Sequence, residues 1–322
     1  MNKKILAIMM SAMLVLSLAA CGSKDDGNGS MTVPTTAPTA APTTAPTAAP
    51  AADMSALVTK YFAEMPDNVY KIDNKEFVAK VIAKEAMTVI DIRSAEDYAK
   101  GHVTGAVNMP WGPAIAAGLK SIPTDKPIYI YCYTGQTAGQ AVTTLNIAGI
   151  PARSVHLGWN LGISKVEGYE AATSTEAATL TGTPTKIDAT VQKAMDEYYS
   201  GLAGVSATKY KNYKISEADL KAMVDAKDAG MYILSVRSAA DYAAGHIEGA
   251  SNIPFAKGMA SSFGTLPKDK TIVVYCYTGQ TAGQVVAGLR LMGYDAVSLN
   301  GGMGNAANAP QGWANAGYPV VK

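Results

Sequence analysis

The chain has 322 residues, 48% of them hydrophobic and 16% charged, which is enough apolar material for about two globular domains. The mean hydropathy of +0.06 is too low for a protein with many membrane spans, and the formal charge of +1, with no basic block beyond the N-terminus, argues against nucleic-acid binding. The three cysteines are too few for a disulfide framework or a thiolate metal cage. Neither a metal nor another cofactor is expected.

The first twenty residues have the order of a secretory signal. Lys3 and Lys4 precede an uncharged apolar run over residues 5–20, and small residues come before Cys21. This run is shorter than the roughly 20 residues that cross a bilayer, so a cleaved signal at residues 1–20 is favoured over a transmembrane anchor. Residues 18–21 resemble the lipobox of bacterial lipoproteins, and this resemblance implies lipidation of Cys21 and an extracytoplasmic, membrane-anchored protein.

Residues 21–52 differ in composition from the apolar run before them: small polar residues come first, and a stretch rich in Thr, Ala and Pro follows. Prolines recur with a period of four, at positions 34, 38, 42, 46 and 50. Proline fixes φ and lacks a backbone donor, so this tract favours extended polyproline II rather than helix or sheet. It is interpreted as a spacer between the lipid anchor and the folded part of the chain.

The rest of the chain contains one sequence module twice. Residues 131–140 recur without change at 275–284, an offset of 144. Several shorter upstream segments are related by the same offset, among them Arg93-Ser94, Asp97-Tyr98-Ala99, Gly101-His102 and Gly105-Ala106. The repeat predicts two domains of similar build, at residues 65–175 and 208–322.

A linker at residues 176–207, with a helix around 189–199, joins the two predicted domains. Within each copy, apolar spacing of three and four predicts a first helix, over 77–84 and 220–226. Short apolar runs predict buried strands over 88–92, 128–131, 154–157, 231–236, 271–275 and 296–299. Further helices are predicted from Ala138 and Ala282. Strands that alternate with helices indicate an α/β fold with a parallel sheet covered on both faces.

Cys132 and Cys276 each follow a predicted strand, at the sheet edge where ligands of such folds bind. A loop of inward-pointing N–H groups and a helix N-terminus favour the thiolate, which is the nucleophilic form. The loop has no charged side chain, so backbone amides, hydroxyls and Gln136 or Gln280 would stabilise an anion there. The alternative is that both cysteines are small buried hydrophobes preserved by recent duplication. A disulfide between them is not expected, because equivalent loops of two domains rarely approach within about 7 Å.

Both copies resemble the rhodanese family over some 220 residues. Residues 93–110 are similar to the N-terminal signature of that family, and Cys-x-x-Gly-x-Thr-Ala is similar to its active-site loop, including that of the thiosulfate and mercaptopyruvate sulfurtransferases. Residues 299–302, Trp313 and residues 317–320 resemble its C-terminal part. The resemblance implies two rhodanese-like domains, each a five-stranded parallel sheet with helices on both faces, and a sulfurtransferase of the thiosulfate type.

The resemblance also implies roles for individual residues. Cys132 and Cys276 would be nucleophiles that carry sulfane sulfur as a persulfide, from a thiosulfate, mercaptopyruvate or polysulfide donor to a thiophilic acceptor. The persulfide cradle would consist of the loop residues Tyr133, Thr134, Gly135, Gln136, Thr137 and Ala138, and Tyr277, Thr278, Gly279, Gln280, Thr281 and Ala282. Structural support would come from Arg93, Asp97, His102, Arg237, Asp241 and His246, with each arginine pairing with the aspartate of its own copy.

Some features depart from the family. The familiar two-domain enzymes usually lack the N-terminal cysteine, whereas here both copies have one, which predicts two active sites. Asp91 corresponds to Ser235, and the Gly-Gly after the last strand is Leu157-Gly158 in the first copy; if only one site acts, Cys276 is preferred. The related phosphatases have an arginine where this chain has alanine, which argues against phosphatase activity. A non-catalytic module that binds sulfane sulfur or senses redox state is the alternative, and a structural module with relic loops is a third.

Overall fold

The alternation of apolar runs and amphipathic segments produces two parallel sheets of five strands. The computed structural model describes residues 52–183 and 185–322. The predicted signal sequence, the predicted lipidation site Cys21 and nearly all of the spacer lie outside the described residues. Within the described ranges, no helix combines the length and the apolar character needed to cross a membrane.

The first half of the described chain forms one sheet with the spatial order β1-β6-β5-β2-β4. Its strands are β1 (Lys71–Ile72), β2 (Thr88–Asp91), β4 (Ala106–Asn108), β5 (Ile128–Tyr131) and β6 (Ala152–Val155), with β3 (His102–Val103) and β7 (Thr173–Ser174) in a small antiparallel pair. Its helices are α1 (Met54–Ala63), α2 (Asn74–Ile82), α3 (Ala95–Lys100), α4 (Pro113–Gly118) and α5 (Gln136–Ile147).

The second half repeats this order as β8-β12-β11-β9-β10. Its strands are β8 (Lys214–Ile215), β9 (Met231–Ser235), β10 (Ala250–Asn252), β11 (Thr271–Tyr275) and β12 (Ala296–Leu299). Its helices are α6 (Ala189–Ser200), α7 (Leu202–Val205), α8 (Glu217–Asp225), α9 (Ala239–Ala244) and α10 (Gln280–Leu291). The predicted α/β class and the five-stranded parallel sheet of each half are confirmed.

The predicted bounds agree closely for the central strands, and the differences have local causes. Strand β6 begins and ends two residues before the predicted segment, because Leu157 has a left-handed φ of 58° that an extended strand cannot contain. Helices α5 and α10 begin two residues earlier than predicted. Gly135 and Gly279, with φ of 87° and 90°, turn the chain directly from the cysteine loop into the helix.

The helices that precede the two sheets pack on opposite halves. Phe62 of α1 lies edge-on to Phe263 of the second half, with ring centroids 5.4 Å apart. Tyr199 of α6 packs edge-on to Trp111 of the first half at 5.4 Å, and its hydroxyl lies 2.7 Å from Thr144 Oγ1. One hydrophobic core therefore runs through both halves, with α5 and α10 in contact at its centre. This arrangement places each cysteine loop close to the other half.

Candidate active sites at the two cysteine loops

Cys132 lies directly after β5, at the carboxyl edge of the first sheet. Its Sγ accepts hydrogen bonds from the backbone N–H groups of Gly135 (3.1 Å) and Ala138 (3.3 Å). The second of these donors belongs to the first turn of α5, whose positive end therefore faces the sulfur. The side chain is 2% exposed and forms no disulfide. The loop therefore directs two backbone N–H groups at a buried thiol.

Cys276 has the equivalent position after β11. Its Sγ accepts a hydrogen bond from Gly279 N at 3.1 Å, and the residue is also a free cysteine with 2% exposure. Cys276 lines a cavity of about 500 Å³. Residues of the second half, including Thr278 and Thr281, line one side, and residues of the first half line the other: Val69, Lys71 and His156. A ligand at Cys276 would contact both halves.

A glycine after the last strand of each five-stranded sheet, β6 or β12, supports each cysteine loop from behind. Trp159 N donates to the carbonyl oxygen of Cys132 (2.8 Å), and Met303 N donates to that of Cys276 (2.7 Å). A Cβ atom on the preceding glycine, Gly158 in the first half, would lie 2.4 Å from Cys132 O. Only glycine allows this approach, and the offset of 144 between Gly158 and Gly302 is the signal that could have identified these supporting positions.

The loop tyrosines, predicted as part of the cradle, bind the neighbouring short helix. The Tyr133 hydroxyl donates to Asp97 Oδ2 at 2.6 Å and accepts from Ser94 N at 3.1 Å. This hydrogen bond, with those from Lys100 and Ser94, lowers the pKa of Asp97 from 3.8 to about 2. Tyr277 donates to Asp241 in the same way and is 39% exposed at the edge of the cavity. The tyrosines therefore fix the loop to α3 and α9.

The two loop glutamines cross to the opposite half. Gln136 Nε2 donates to Ser298 Oγ (2.7 Å) and to Leu299 O (2.9 Å) of β12. Gln280 Nε2 donates to Ser154 Oγ (2.8 Å) and Val155 O (3.2 Å) of β6. Both side chains are almost fully buried, and their amides are used in these bonds. Of the predicted cradle, the backbone N–H groups of Gly135, Ala138 and Gly279 are the groups that donate to the sulfur atoms.

The predicted pairing of Arg93 with Asp97 is wrong, whereas the charge of Arg237 contributes to the lowered pKa of Asp241 without a close ion pair. Arg93 Nη2 pairs with Asp91 Oδ2 at 2.6 Å, because both residues are buried at the end of β2 whereas Asp97 lies on the exposed helix α3. In the second half Asp91 is replaced by a serine, and Arg237 has no carboxylate oxygen within 4.0 Å in the described part of the chain. Its Nη2 donates to Gly245 O.

The histidines of the repeat contact backbone carbonyl oxygens. His102 is fully buried and stacked on Tyr98; its Nδ1 lies 2.7 Å from Tyr98 O and its Nε2 lies 2.9 Å from Glu176 O. His246 Nδ1 lies 3.0 Å from Tyr242 O. These contacts connect α3 and α9 to the segments that follow them. A different histidine, His156, lines the cavity at Cys276, and its position after β6 was not singled out from the sequence.

The chain belongs to the rhodanese-like family. The rhodanese-like domain matches it twice, at residues 73–164 and 216–309. Similar proteins include the putative sulfur carrier protein YrkF of Bacillus subtilis, 27% identical over 90 residues (28% of this chain and 48% of the relative), and the thiosulfate sulfurtransferase GlpE of Pseudomonas entomophila, 31% identical over 67 residues (21% and 61%). The chain thus spans about half the length of YrkF.

Among solved structures, the chain is similar to SseA from Escherichia coli, which is described as a 3-mercaptopyruvate sulfotransferase. The identity is 18%, the match covers 72% of this chain and 98% of that chain, and the TM-score is 0.34. It is also similar to a rhodanese-related protein from Thermoplasma volcanium, at 29% identity over 34% of this chain and 96% of that chain, with a TM-score of 0.29.

Proposed function

We propose that the protein is a sulfurtransferase with two active cysteines, Cys132 and Cys276. The observation that carries this proposal is the pair of backbone N–H groups directed at Cys132 Sγ from the loop and from the start of α5. A second thiol, in a loop of identical sequence, also accepts a backbone N–H bond and opens on a cavity shared by both halves. Membership of the rhodanese-like family, and relatives named as a thiosulfate sulfurtransferase and a sulfur carrier, support the same chemistry.

The reaction has two steps. In the first, the cysteine thiolate attacks the outer sulfur of a donor such as thiosulfate, mercaptopyruvate or a polysulfide. A new S–S bond forms, the donor's bond to that sulfur breaks, and its electron pair leaves on the remaining fragment, which is sulfite for thiosulfate. In the second step a thiophilic acceptor attacks the terminal sulfur of the persulfide and releases the thiolate. The directed N–H groups stabilise the anionic sulfur, and the double displacement predicts ping-pong kinetics.

A direct test follows sulfur on the protein. In the full chain carrying Cys21→Ser, incubation with each donor is expected to add the mass of one sulfur atom at each active cysteine, and cyanide is expected to remove it as thiocyanate. Cys132→Ala and Cys276→Ala should each abolish addition at the substituted site. Undiminished transfer by the double variant would overturn the proposal.

The near-complete burial of both thiols favours a second candidate function, a store of sulfane sulfur without rapid turnover. Steady-state transfer to cyanide distinguishes the two candidates. A sulfurtransferase turns over many times per cysteine, whereas a store releases one sulfur atom per cysteine and then stops.

The proposal also places the protein outside the cytoplasm, attached to the membrane by lipid on Cys21. It rests on the order of charged, apolar and small residues before that cysteine. In the bacterial host, a labelled fatty acid should be incorporated into the wild-type chain and not into Cys21→Ser. Equal labelling of both chains would contradict this part of the proposal.

A further inference from the structure

Each half has a half-buried lysine on its first strand, Lys71 on β1 and Lys214 on β8. The two residues are equivalent in the repeat, since each lies between a tyrosine and an isoleucine. In the described ranges, no carboxylate oxygen lies within 4.0 Å of either ammonium group. Removing a cation from water is unfavourable unless it meets an opposite charge, so these lysines require an explanation.

Lys71 of the first half faces the active cysteine of the second half. Lys71 and Cys276 line the same cavity of about 500 Å³. Strand β1 runs parallel to β6 with Lys71 opposite Ser154, and the Ser154 hydroxyl accepts the hydrogen bond from Gln280, the first residue of α10. Strand β1 is thus connected, through the side chains of Ser154 and Gln280, to the loop that holds Cys276.

Lys214 has the reciprocal strand pairing and glutamine contact. Strand β8 runs parallel to β12 with Lys214 opposite Ser298, and Ser298 accepts the hydrogen bond from Gln136 at the start of α5. Gln136 lies four residues after Cys132. The same connection therefore links Lys214 to the cysteine loop of the first half.

The turns before the lysines are also fixed by the opposite half. Val69 and Tyr70 have left-handed φ angles of 48° and 56°, and the equivalent Asn212 and Tyr213 have 61° and 51°. Such a conformation is unfavourable for residues other than glycine and persists only where surrounding contacts hold it. Here Gln284 Nε2 donates to Val69 O at 3.0 Å, and a glutamine of α5 donates to Asn212 O at 3.1 Å. These bonds hold each lysine in position relative to the opposite site.

The electrostatic couplings follow the same crossed pattern. Burial lowers the pKa of Lys71 below its usual 10.5, and attraction to Cys276 acts in the opposite direction. Burial likewise lowers the pKa of Lys214, opposed by Cys132 and then by Glu217.

Other charged or titratable groups surround each lysine. Those around Lys71 are His156, Asp73, Glu76 and Arg153, and the further neighbour of Lys214 is Lys211. The pKa of His156 is lowered, mainly by burial and then by Lys71.

We propose that the two active sites complete each other: Lys71 is the cation of the Cys276 site and Lys214 is the cation of the Cys132 site. This inference rests on the proposed sulfur transfer and deepens it, because it favours anionic donors whose leaving group is an oxyanion, such as thiosulfate or a thiosulfonate. When the thiolate takes the outer sulfur, the S–S bond of the donor breaks and the electron pair leaves on the sulfite or sulfinate. The lysine ammonium faces this developing charge. The cysteine loop itself contains no charged residue that could do so.

Alkylation rates test whether each lysine acts on the cysteine of the opposite half, and they do not require sulfur transfer. The full chain with Cys21→Ser and one remaining active cysteine is treated with iodoacetate, which is anionic, and with iodoacetamide, which is neutral. Lys71→Met should lower the iodoacetate-to-iodoacetamide rate ratio at Cys276 roughly fivefold and leave Cys132 unchanged. Lys214→Met should do the reverse, and Lys71→Arg should preserve the ratio.

The outcomes separate this inference from the proposed function. If Lys71→Met leaves the iodoacetate-to-iodoacetamide rate ratio at Cys276 unchanged, or changes it equally at both cysteines, the assignment of the lysines to the opposite sites is overturned, even if sulfur transfer is intact. If each lysine variant changes the rate ratio only at the cysteine of the opposite half, but the protein transfers no sulfur, the lysine assignment is supported and the sulfurtransferase is refuted. Where transfer occurs, Lys71→Met should lower kcat/KM for thiosulfate at Cys276 and leave kcat/KM for the same donor unchanged at Cys132. If Lys71→Met does not fold, Lys71→Gln and the salt dependence of the wild-type ratio provide the same measurement.

Discussion

A Cβ atom added to Gly139 would lie 2.2 Å from the carbonyl oxygen of Gln280. Gly139 is in the first turn of α5 and Gln280 begins α10, so this contact sets the distance between the two helices that follow the cysteines. The relationship is reciprocal, because a Cβ atom on Gly283 would lie 2.4 Å from Gln136 O. The two helix N-termini, and with them the two sulfur sites, are thus positioned by one close helix crossing.

Gly139→Ala is expected to destabilise the protein by about 3 kcal/mol, because the contacted atom is backbone and the helices must separate. The gain of about 1 kcal/mol in helix propensity is too small to compensate. Thermal unfolding measures the loss. Gly204→Ala is the matched control, since no atom lies within 4 Å of its added Cβ, and it should leave the melting temperature unchanged or slightly higher. Equal melting temperatures for Gly139→Ala and the wild type would contradict the close crossing.

Tyr133→Phe is expected to reduce stability in a pH-dependent way. The folded-state pKa of Asp97 is about 2 instead of 3.8, first because of the hydrogen bond from Tyr133 and then because of Lys100 and Ser94. A lowered carboxyl pKa stabilises the fold above about pH 4, and this contribution disappears as the pH falls towards 2. The advantage of wild type over Tyr133→Phe should therefore be constant from pH 7 to about 4 and shrink below it.

Denaturant midpoints between pH 7 and pH 2 measure this difference. Tyr169→Phe is the control, because the Tyr169 hydroxyl has no hydrogen-bond partner among the described residues. Tyr277→Phe should show a smaller effect of the same sign, since the lowered pKa of Asp241 is due first to Ser238. A difference for Tyr133→Phe that persists unchanged at pH 2 would show that its hydroxyl does not act through Asp97.

Gly158→Ala is expected to impair sulfur transfer at Cys132 and not at Cys276. The added Cβ would lie 2.4 Å from the Cys132 carbonyl oxygen, so the loop must move. Its N–H groups then no longer point at the sulfur. A displacement of about 1 Å can reduce a rate about 100-fold. Transfer is measured in single-cysteine backgrounds. Gly105→Ala has a similar left-handed φ, 77° against 60°, without a nearby atom, and so controls for backbone strain alone. Equal losses for both variants would attribute the effect to strain.

Local sequence signals predict the strands of this protein and the positions of its cysteines. They do not predict its long-range contacts. The buried strands and the position of each cysteine after a strand follow from apolar runs and from the repeat. The crossing of Gln136 and Gln280 does not, because a repeat shows that two units are alike and not how they face each other. Lys71 also belongs to the repeat, but Cys276, which lines the same cavity, is 205 residues away in the chain. Residues 53–64, to which no element is assigned from sequence, contain helix α1 (Met54–Ala63), which packs mainly on the opposite half.

The two halves differ in charge at the end of their second strand. In the first half the fully buried Asp91 binds Arg93 through two nitrogens and accepts the hydroxyl of Tyr131 at 2.7 Å. In the second half Ser235 takes this place, and the buried Nε of Arg237 has no hydrogen-bond partner in the described structure. Asp91→Ser should therefore destabilise the protein by about 3–5 kcal/mol, since it leaves a buried guanidinium uncompensated.

Ser235→Asp should act in the opposite direction and stabilise the protein by about 1–3 kcal/mol, because Arg237 is already buried and only its partner is missing. Urea unfolding measures both changes. In the Arg237→Met background the benefit of Ser235→Asp should disappear, since the new carboxylate would then be buried alone. A Ser235→Asp variant that is less stable than wild type while Arg237 is present would show that the desolvation of the carboxylate exceeds its attraction to the guanidinium at this site.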